Sequence, residues 1–265
     1  GDSCVSGLMR LPGKIVRKFS KTTRNALFST SVQPIVELRE YEIPPQHAVS
    51  YIQSTARAAD VRKSLVPLRL FSTPDTGGQL HIATHAYYYG GGHEERDRKR
   101  GSMGQSSDWK AYLNECRPFM QTQRSNILVE APLVNETEGV LGLSSIHENL
   151  PGDDCILEFR RYKLVLGYDT VPKFLSLYEA GLPSKLRAEG TDPTTSLVTL
   201  LHCDVGRLNE VIEIWRHGNG TAAMEKSRTA ARAATEWRTA IASIAPLAIE
   251  FTSTIHRPAA FSPLK

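Results

Sequence analysis

Histidine and cysteine side chains are the first candidates for chemistry in this sequence of 265 residues. His81 and His85 lie four residues apart in a segment that reads as a strand, so both would face the same side of a sheet. At about 3.3 Å per residue they would be about 13 Å apart, too far to share a metal ion. His202 and Cys203 are neighbours and would face opposite sides. The sequence therefore predicts surface or sheet-packing histidines and no metal site.

Two pairs of opposite charges recur in similar surroundings, Glu37 with Arg39 and Glu158 with Arg160. A spacing of two residues places both members of a pair on one face of a strand. The residues alone leave two interpretations open. The pairs either line the space between two sheets as polar groups or form ion pairs on the strand surface. We favour the second interpretation, in which the pairs have a structural role.

Two further motifs also indicate a structural role rather than a catalytic or ligand-binding one. The glycines at 90–92 are similar to a phosphate-binding loop, but no Gly-Lys-Ser/Thr follows them, so they predict a hairpin or a turn that begins a helix. Trp109 and Trp237 lie on apolar helix faces and are predicted to pack in two cores rather than to stack on a ligand. We accordingly predict no catalytic, cofactor-binding or metal-binding residues.

The chain contains an internal repeat. Residues 37–41 (Glu-Leu-Arg-Glu-Tyr) are matched by residues 158–162 (Glu-Phe-Arg-Arg-Tyr) at an offset of 121. Further along, Trp109 matches Trp237 at an offset of 128, and the same offset relates many other positions. A period of this length is that of a domain rather than of a solenoid repeat. The sequence is a tandem duplication.

Each copy shows the element order β-α-β-β-α-β, and the predicted class is α+β. In the first copy, strands are predicted at 34–41, 67–72, 79–87 and 126–130, with helices over 46–63 and after a cap at 106–108. In the second copy, strands are predicted at 156–164, 196–202 and 209–215, with helices through 171–182 and 237–248. This order is typical of the ferredoxin-like fold. Because each half leaves one apolar sheet face bare, the two copies are predicted to pair as a dimeric α/β-barrel-like unit.

The predicted organisation has four parts: a basic tail at 1–33, repeat 1 at 34–132, a linker at 133–154, and repeat 2 with a C-terminal tail at 155–265. No run of about 18 apolar residues is present, so no membrane-spanning helix is predicted. The four cysteines are scattered, which indicates a reducing compartment and no disulfide framework.

The basic character of the chain is concentrated in the tail. Residues 1–33 carry six Lys or Arg and one acid, while the whole chain has a net charge of only +4. A nucleic-acid-binding domain would carry its charge on the folded surface, so no nucleic-acid partner is predicted. Rich in Arg, Lys, Ser and Thr and poor in acids, the tail is typical of a mitochondrial targeting segment. The alternative is a basic tail that is not a targeting signal. If the tail is retained, we expect a partner to hold it.

Three segments carry a resemblance to a known family. They are Val36-Glu-Leu-Arg-Glu-Tyr41, the stretch from Asp204 to Trp215 (Asp-Val-Gly-Arg-Leu-Asn-Glu-Val-Ile-Glu-Ile-Trp), and Phe261-Ser-Pro-Leu264. Over about residues 34–265 the chain resembles the NIPSNAP family, and the Gly-Arg-Leu-Asn-Glu-Val-x-Glu-x-Trp stretch is the most specific part. The resemblance implies a mitochondrial protein of tandem dimeric α/β-barrel domains with interaction and signalling roles. The first copy departs from the pattern, because residues 81–89 (His-Ile-Ala-Thr-His-Ala-Tyr-Tyr-Tyr) stand where Asn, an acidic residue and Trp-Arg are usual.

Two classes of function follow. We expect a non-catalytic accessory subunit of a large mitochondrial assembly, of the respiratory or ATP synthase type, in the matrix or on the matrix side of the inner membrane. Its partners would be other protein subunits held partly through residues 1–33, and a homodimer or a peripheral membrane contact is compatible with this. The alternatives are a free-standing regulatory adaptor of the mitophagy type or a barrel that binds or converts a small molecule. The last requires a sizeable pocket with convergent polar groups near Glu37, Arg39, Glu158 or His85.

Overall fold

The computed structural model describes residues 32–146 and 150–265. The first half contains β1 (Ile35–Glu42), α1 (Ala48–Arg57), α2 (Ala59–Leu65), β2 (Leu68–Thr76), β3 (Ile82–Tyr89), α3 (Gly92–Met103), α4 (Ser107–Cys116) and β4 (Thr122–Glu130). The second half contains β5 (Ile156–Leu164), α6 (Thr170–Leu186), β6 (Thr195–Val205), β7 (Glu210–His217), α7 (Gly220–Ala233), α8 (Thr235–Ile244) and β8 (Ala248–Pro258). A short helix, α5 (Leu133–Glu136), lies between the halves.

All eight strands form one closed barrel whose neighbours are antiparallel. The order around the barrel is β1-β3-β2-β8-β5-β7-β6-β4, with β4 pairing again with β1. The two halves join through the β2–β8 and β4–β6 pairs. The barrel therefore closes within a single chain, and the duplication leaves no sheet edge unpaired.

The interior of the barrel is mostly apolar. Val36 and Leu38 from β1 meet Leu157 and Phe159 from β5 there, all at most 1% exposed. These residues alternate along their strands with residues that face outward, as the period of two requires. Toward one end the interior contains an ion pair between the two repeats, Arg161 to Glu40 at 2.6 Å.

The helices cover the outside of the barrel and build one apolar core in each half. In the second half α6 and α8 approach closely at Gly181, where an added Cβ would lie 2.5 Å from the Cβ of Ala240. This approach fixes α8 against the sheet and places Trp237 beneath α6. In the first half the side chain of Ser106 accepts a hydrogen bond from the backbone of Trp109, which confirms the predicted helix cap.

Several predicted element bounds differ from the structure. The strand at 156–164 is confirmed, but the helix predicted over 46–63 is divided into α1 and α2 at Ala58. The prediction that β3 begins at residue 79 is wrong, because His81 has a φ of 61° and ends the β2–β3 turn. A left-handed backbone cannot continue a strand.

Two predictions concern segments outside the barrel. The basic tail at 1–33 lies, apart from its last two residues, outside the described residues. The linker packs against the second half, since Leu133 and Leu143 are buried and the backbone N–H groups of Leu141 and Gly142 donate to β6. Within the described part of the chain, no helix has the length and apolar character needed to cross a bilayer.

The C-terminal segment closes one end of the barrel. Leu264 is fully buried in the interior cluster, and its backbone N–H donates to Arg69 at 3.1 Å. The hydroxyl of Ser262 accepts from the backbone of Phe71 at 3.0 Å and donates to the carbonyl of Leu264 at 2.7 Å. The segment is thus held by hydrogen bonds on both sides of its apolar side chain.

We expect Leu264→Ala to lower the free energy of unfolding by about 2–5 kcal/mol, because it opens a cavity in a packed interior. Urea denaturation of the full chain measures this. Leu166→Ala removes the same atoms from a side chain that is 88% exposed and should change stability by less than about 0.5 kcal/mol. Equal effects of the two substitutions would show that the C-terminal segment does not close the barrel in solution.

Candidate functional site

A cavity of about 1110 Å³ lies in the second half, between the outer face of the barrel and the helices α6, α7 and α8. Its volume is in the range of sites that hold a small organic molecule. Aromatic side chains form much of its wall: Tyr162, Trp215, Trp237 and Phe251. Charged side chains also line it: Glu158, Arg160, Lys185, His217, Arg228, Arg232, Arg238 and Glu250.

The outward face of β5 supplies a buried carboxylate to this cavity. Glu158 is 1% exposed and accepts hydrogen bonds from Arg160 at 2.5 Å, Arg228 at 2.5 Å and Ser253 at 2.8 Å. Burial by itself would raise the pKa of Glu158, but the hydrogen bonds from His217 and the two arginines, with the charge of Arg160, lower it far below its ordinary value. Glu158 therefore remains ionised and anchors α7 to the barrel.

A second buried carboxylate, Glu213 on β7, lies beneath the cavity wall. It accepts hydrogen bonds from the Tyr162 hydroxyl at 3.0 Å, from the Trp215 indole at 3.0 Å and from the Tyr178 hydroxyl. Burial raises the pKa of Glu213, whereas the positive charges of Lys185 and Arg160 lower it overall. This carboxylate fixes the orientation of two aromatic side chains that face the cavity.

Lys185, in the last turn of α6, lies against two indole rings. Its Nζ is 3.6 Å from the ring centroid of Trp215 and 4.5 Å from that of Trp237. Burial lowers the pKa of Lys185 to about 7, and the nearby charge of Glu213 opposes this effect. At neutral pH a substantial share of this amine is therefore unprotonated.

A chain of hydrogen bonds leads from the cavity wall to Glu158. Ser227 donates to Thr195 at 2.9 Å, and the Thr195 hydroxyl lies 3.0 Å from Nδ1 of His217. Nε2 of His217 lies 3.4 Å from the Glu158 carboxylate, which can only accept, so Nε2 carries the proton and Nδ1 accepts from Thr195. Burial lowers the pKa of His217 despite the neighbouring carboxylate. The imidazole of His217 is therefore uncharged at neutral pH.

The first half repeats the same charged arrangement. Glu37 is fully buried and accepts hydrogen bonds from Arg96, Arg100 and Ser125 at 2.6–3.0 Å. Arg100 and Ser125 are related to Arg228 and Ser253 by the 128-residue offset. The ion-paired carboxylate under the helices is therefore a feature of both repeats, in agreement with a structural role for it.

In the first half, side chains occupy the corresponding layer between the sheet and the helices. The guanidinium of Arg62, 2% exposed, lies 5.1 Å from the ring centroid of Trp109 and donates to the hydroxyls of Tyr87 at 2.9 Å and Tyr112 at 2.6 Å. At the 128-residue offset, Met103 of this core corresponds to Ala231 of the cavity wall. Larger side chains and a buried cation replace the open volume of the second half.

The two predicted histidines lie in different surroundings. His85 is fully buried under the helices, where Tyr51 lies 3.3 Å from Nε2 and Arg62 lies 2.6 Å from Nδ1. Burial and the charge of Arg62 lower the pKa of His85, so the ring is neutral. The placement of His81 on the same strand is wrong, since it lies in the preceding turn and is exposed.

The other candidates from the sequence are placed as follows. Cys203 lies in the barrel interior, whereas His202 is half-buried and faces outward. Gly92 has a φ of 65° and begins α3, which fits a helix-initiating turn. Among the described residues, no cluster of three or more His, Cys, Asp or Glu side chains is arranged to hold a metal ion.

The structure decides between the two interpretations of the charged pairs. Glu37–Arg39 and Glu158–Arg160 are ion pairs at 3.9 Å and 2.5 Å, but they lie under the helices. The alternative in which they line the space between the sheets is wrong, because that space is the apolar barrel interior. Trp237 packs in the core as predicted, and it also faces the cavity.

Sequence reasoning missed four cavity residues: Lys185, Trp215, His217 and Arg228. One signal for two of them was available, since Glu213, Trp215 and His217 alternate along β7 and must share a face. No sequence signal marks Lys185 or Arg228. Their helices meet the sheet only through tertiary packing.

The fold and the site define a class of protein: a single-chain α/β barrel with a ligand-sized cavity under the helices of one repeat. The family model of NIPSNAP matches residues 36–134 and 157–263, one match for each half of the barrel. The chain belongs to the NIPSNAP family, as its sequence motifs indicated. No curated protein matches the sequence.

Solved structures with a similar fold come from proteins of low sequence identity. The "putative monooxygenase" of Fusobacterium nucleatum has a TM-score of 0.60 at 9% identity, covering 86% of this chain and 93% of its own. The "putative monooxygenase" of Lactobacillus acidophilus has a TM-score of 0.56 at 10% identity, with coverage of 85% and 94%. An anthrone oxidase-like protein has a TM-score of 0.53 at 12% identity, with coverage of 86% and 92%. At these identities the similarity shows the fold alone.

We expect Glu158→Gln to reduce the acid sensitivity of the fold. The pKa of Glu158 is lower in the folded chain than its ordinary value of 4.5 in the unfolded chain. Below about pH 4.5 the unfolded chain therefore binds more protons, and the free energy of unfolding decreases as the pH is lowered. The variant lacks this part of the pH dependence. At neutral pH its free energy of unfolding is expected to be lower by about 3–5 kcal/mol, because Arg160 and Arg228 no longer have a carboxylate partner.

Urea midpoints measured from about pH 7 to about pH 3 test this prediction. Glu236→Gln, which removes an exposed carboxylate from α8, is the control and should behave like the wild type. An acid-induced loss of stability in Glu158→Gln that is as steep as in the wild type would contradict the assignment.

Proposed function

We propose that the cavity of the second repeat binds a small organic anion with an aromatic or extended apolar body. The observation that carries this proposal is the combination of an aromatic wall with an excess of positive charge in one ligand-sized cavity. Indole and phenol faces provide apolar contact, and Arg and Lys side chains provide ionic hydrogen bonds.

The charge balance of the cavity favours an anion. Five basic side chains line it: Arg160, Lys185, Arg228, Arg232 and Arg238. Only two carboxylates line it, and Glu158 is already paired with Arg160 and Arg228. Arg232 and Arg238 make no ion pair with any described residue, so they are available to an incoming carboxylate or phenolate.

The structural neighbours support the alternative that the bound molecule is also converted. Two are called a "putative monooxygenase" and a third an anthrone oxidase-like protein, and they share the fold in which this cavity lies. The neutral His217 and the half-protonated Lys185 could move a proton at a bound molecule. Binding is the primary proposal, and conversion of the bound molecule depends on it.

Other predictions from the sequence keep their status as predictions. A role as an accessory subunit of a mitochondrial assembly rests on the tail at 1–33, nearly all of which lies outside the described residues. The description of each half as ferredoxin-like is supported by the strand order β4-β1-β3-β2 and its counterpart β8-β5-β7-β6. A mitochondrial location is expected from the composition of the tail and from the family resemblance.

We expect Ala231→Met to weaken binding at least about tenfold, equivalent to about 1.4 kcal/mol, because it introduces into the cavity the residue that fills the first repeat. Binding is measured with aromatic carboxylates such as 4-methylbenzoate and 1-naphthoate, through the fluorescence of the two cavity tryptophans. Ala233→Met places the same side chain on an exposed position of α7 and should bind like the wild type. Failure of the wild type to bind any member of the panel would overturn the proposed function.

A further inference from the structure

Lys185 combines partial burial with an unpaired amine, whereas the other lysines unpaired within the described residues, Lys63, Lys110, Lys163 and Lys173, are exposed. Lys99, Lys226 and Lys265 are each paired with a carboxylate or a carbonyl oxygen. The amine of Lys185 makes no hydrogen bond or ion pair with any residue in the described ranges, and it lies against the faces of Trp215 and Trp237. It is half-buried and lines the cavity, so a bound molecule can reach it.

The charges that act on this amine come from β5, β7 and α7. From β5 and β7 the carboxylates Glu158 and Glu213 favour the ammonium form. Arg160 on β5 and Arg228 on α7 disfavour it, and removal from water disfavours it most. The indole faces stabilise a cation at this position, and this applies to an ammonium and to an iminium ion alike.

In the first repeat a different cation lies against the tryptophan of the helix layer. There the cation that lies against the repeat's tryptophan is Arg62, whose two Nη atoms contact tyrosine hydroxyls and His85. A guanidinium does not lose its proton in proteins and cannot act as a nucleophile. In the second repeat the cavity of about 1110 Å³ is lined by an amine that lacks a partner among the described residues.

We propose that Lys185 is a nucleophilic amine that forms an imine with the aldehyde or ketone carbonyl of an organic anion in the cavity. This inference rests on the proposed function and names its substrate class: carbonyl compounds that carry an acidic group. Desolvated lysines in apolar pockets are the usual form of such nucleophiles.

The step is balanced without a cofactor. The lone pair of Nζ attacks the carbonyl carbon, and the carbon–oxygen π bond opens to give a carbinolamine. The oxygen then leaves as water together with the two hydrogens of the neutral amine, and a carbon–nitrogen double bond remains. Nothing is oxidised or reduced. When protonated, the imine is a cation that the two indole faces stabilise.

Reductive trapping of the full chain tests the proposal, with 4-formylbenzoate as the probe and cyanoborohydride as the reductant. At neutral pH we expect one adduct, located at Lys185 by peptide mapping, and at least about a tenfold lower yield in Lys185→Met, since ordinary lysines are almost wholly protonated there. Lys173→Met removes an exposed lysine from the same helix and should be labelled like the wild type. Adducts spread over several lysines, or equal labelling of Lys185→Met, would overturn the proposal.

The pH dependence and a second variant separate reactivity from folding. Labelling of Lys185 should rise through about pH 7, whereas labelling of exposed lysines should rise only toward about pH 10. Lys185→Arg keeps a cation between the indoles and should retain the fold while forming no adduct. A labelling rate at Lys185 that rises only with that of the exposed lysines would also overturn the proposal.

The same samples distinguish the two proposals. Binding of 4-methylbenzoate, which has no carbonyl group able to form an imine, reports on the cavity alone. If 4-methylbenzoate binds but 4-formylbenzoate is not trapped at Lys185, the proposed function stands and the imine proposal is refuted. Absence of binding by both probes refutes the proposed function and the imine together.

Discussion

The burial of one carboxylate on the outer face of each half-barrel is the constraint on which the rest of the structure depends. Glu37 and Glu158 lie beneath helices where water cannot solvate them, and an unpaired charge there would be far too costly. Each is neutralised by an arginine two residues along its own strand and by another from the covering helix, Arg100 or Arg228. The same ion pairs that keep the carboxylates ionised therefore hold α3 and α7 against the barrel.

The two repeats use this shared framework differently. In the first, Arg62 and the hydroxyls of Tyr87 and Tyr112 fill the layer between sheet and helices with a closed hydrogen-bond network. In the second, smaller side chains leave a cavity, and the cation at the wall is Lys185. A duplication permits this division, because one copy can maintain the packing on which the barrel depends while the other accommodates a ligand.

The barrel isolates this site from the interior. Its core is apolar and closed at one end by Leu264. The buried carboxylates Glu37, Glu158 and Glu213 therefore lie in the layer under the helices, where hydrogen-bond partners are available from both sides. The cavity has the same mixed character, so an occupant needs both an apolar body and charged groups. This is the physical basis of the proposed preference for aromatic anions.

The sequence by itself determined the tandem duplication, the family and most of the strands. These features depend on local periodicity and on matched positions such as Trp109 and Trp237, which are visible without coordinates. It also singled out Glu158 and Arg160, but not which face of the sheet they occupy, since a period of two fixes alternation and not direction. Only the tertiary structure decided that they lie under the helices, that the first repeat is filled and that the second is open. The contact between Lys185 of α6 and Trp215 of β7 also depends on the tertiary structure. Contacts between elements that are distant in sequence arise from packing, which local sequence patterns do not predict.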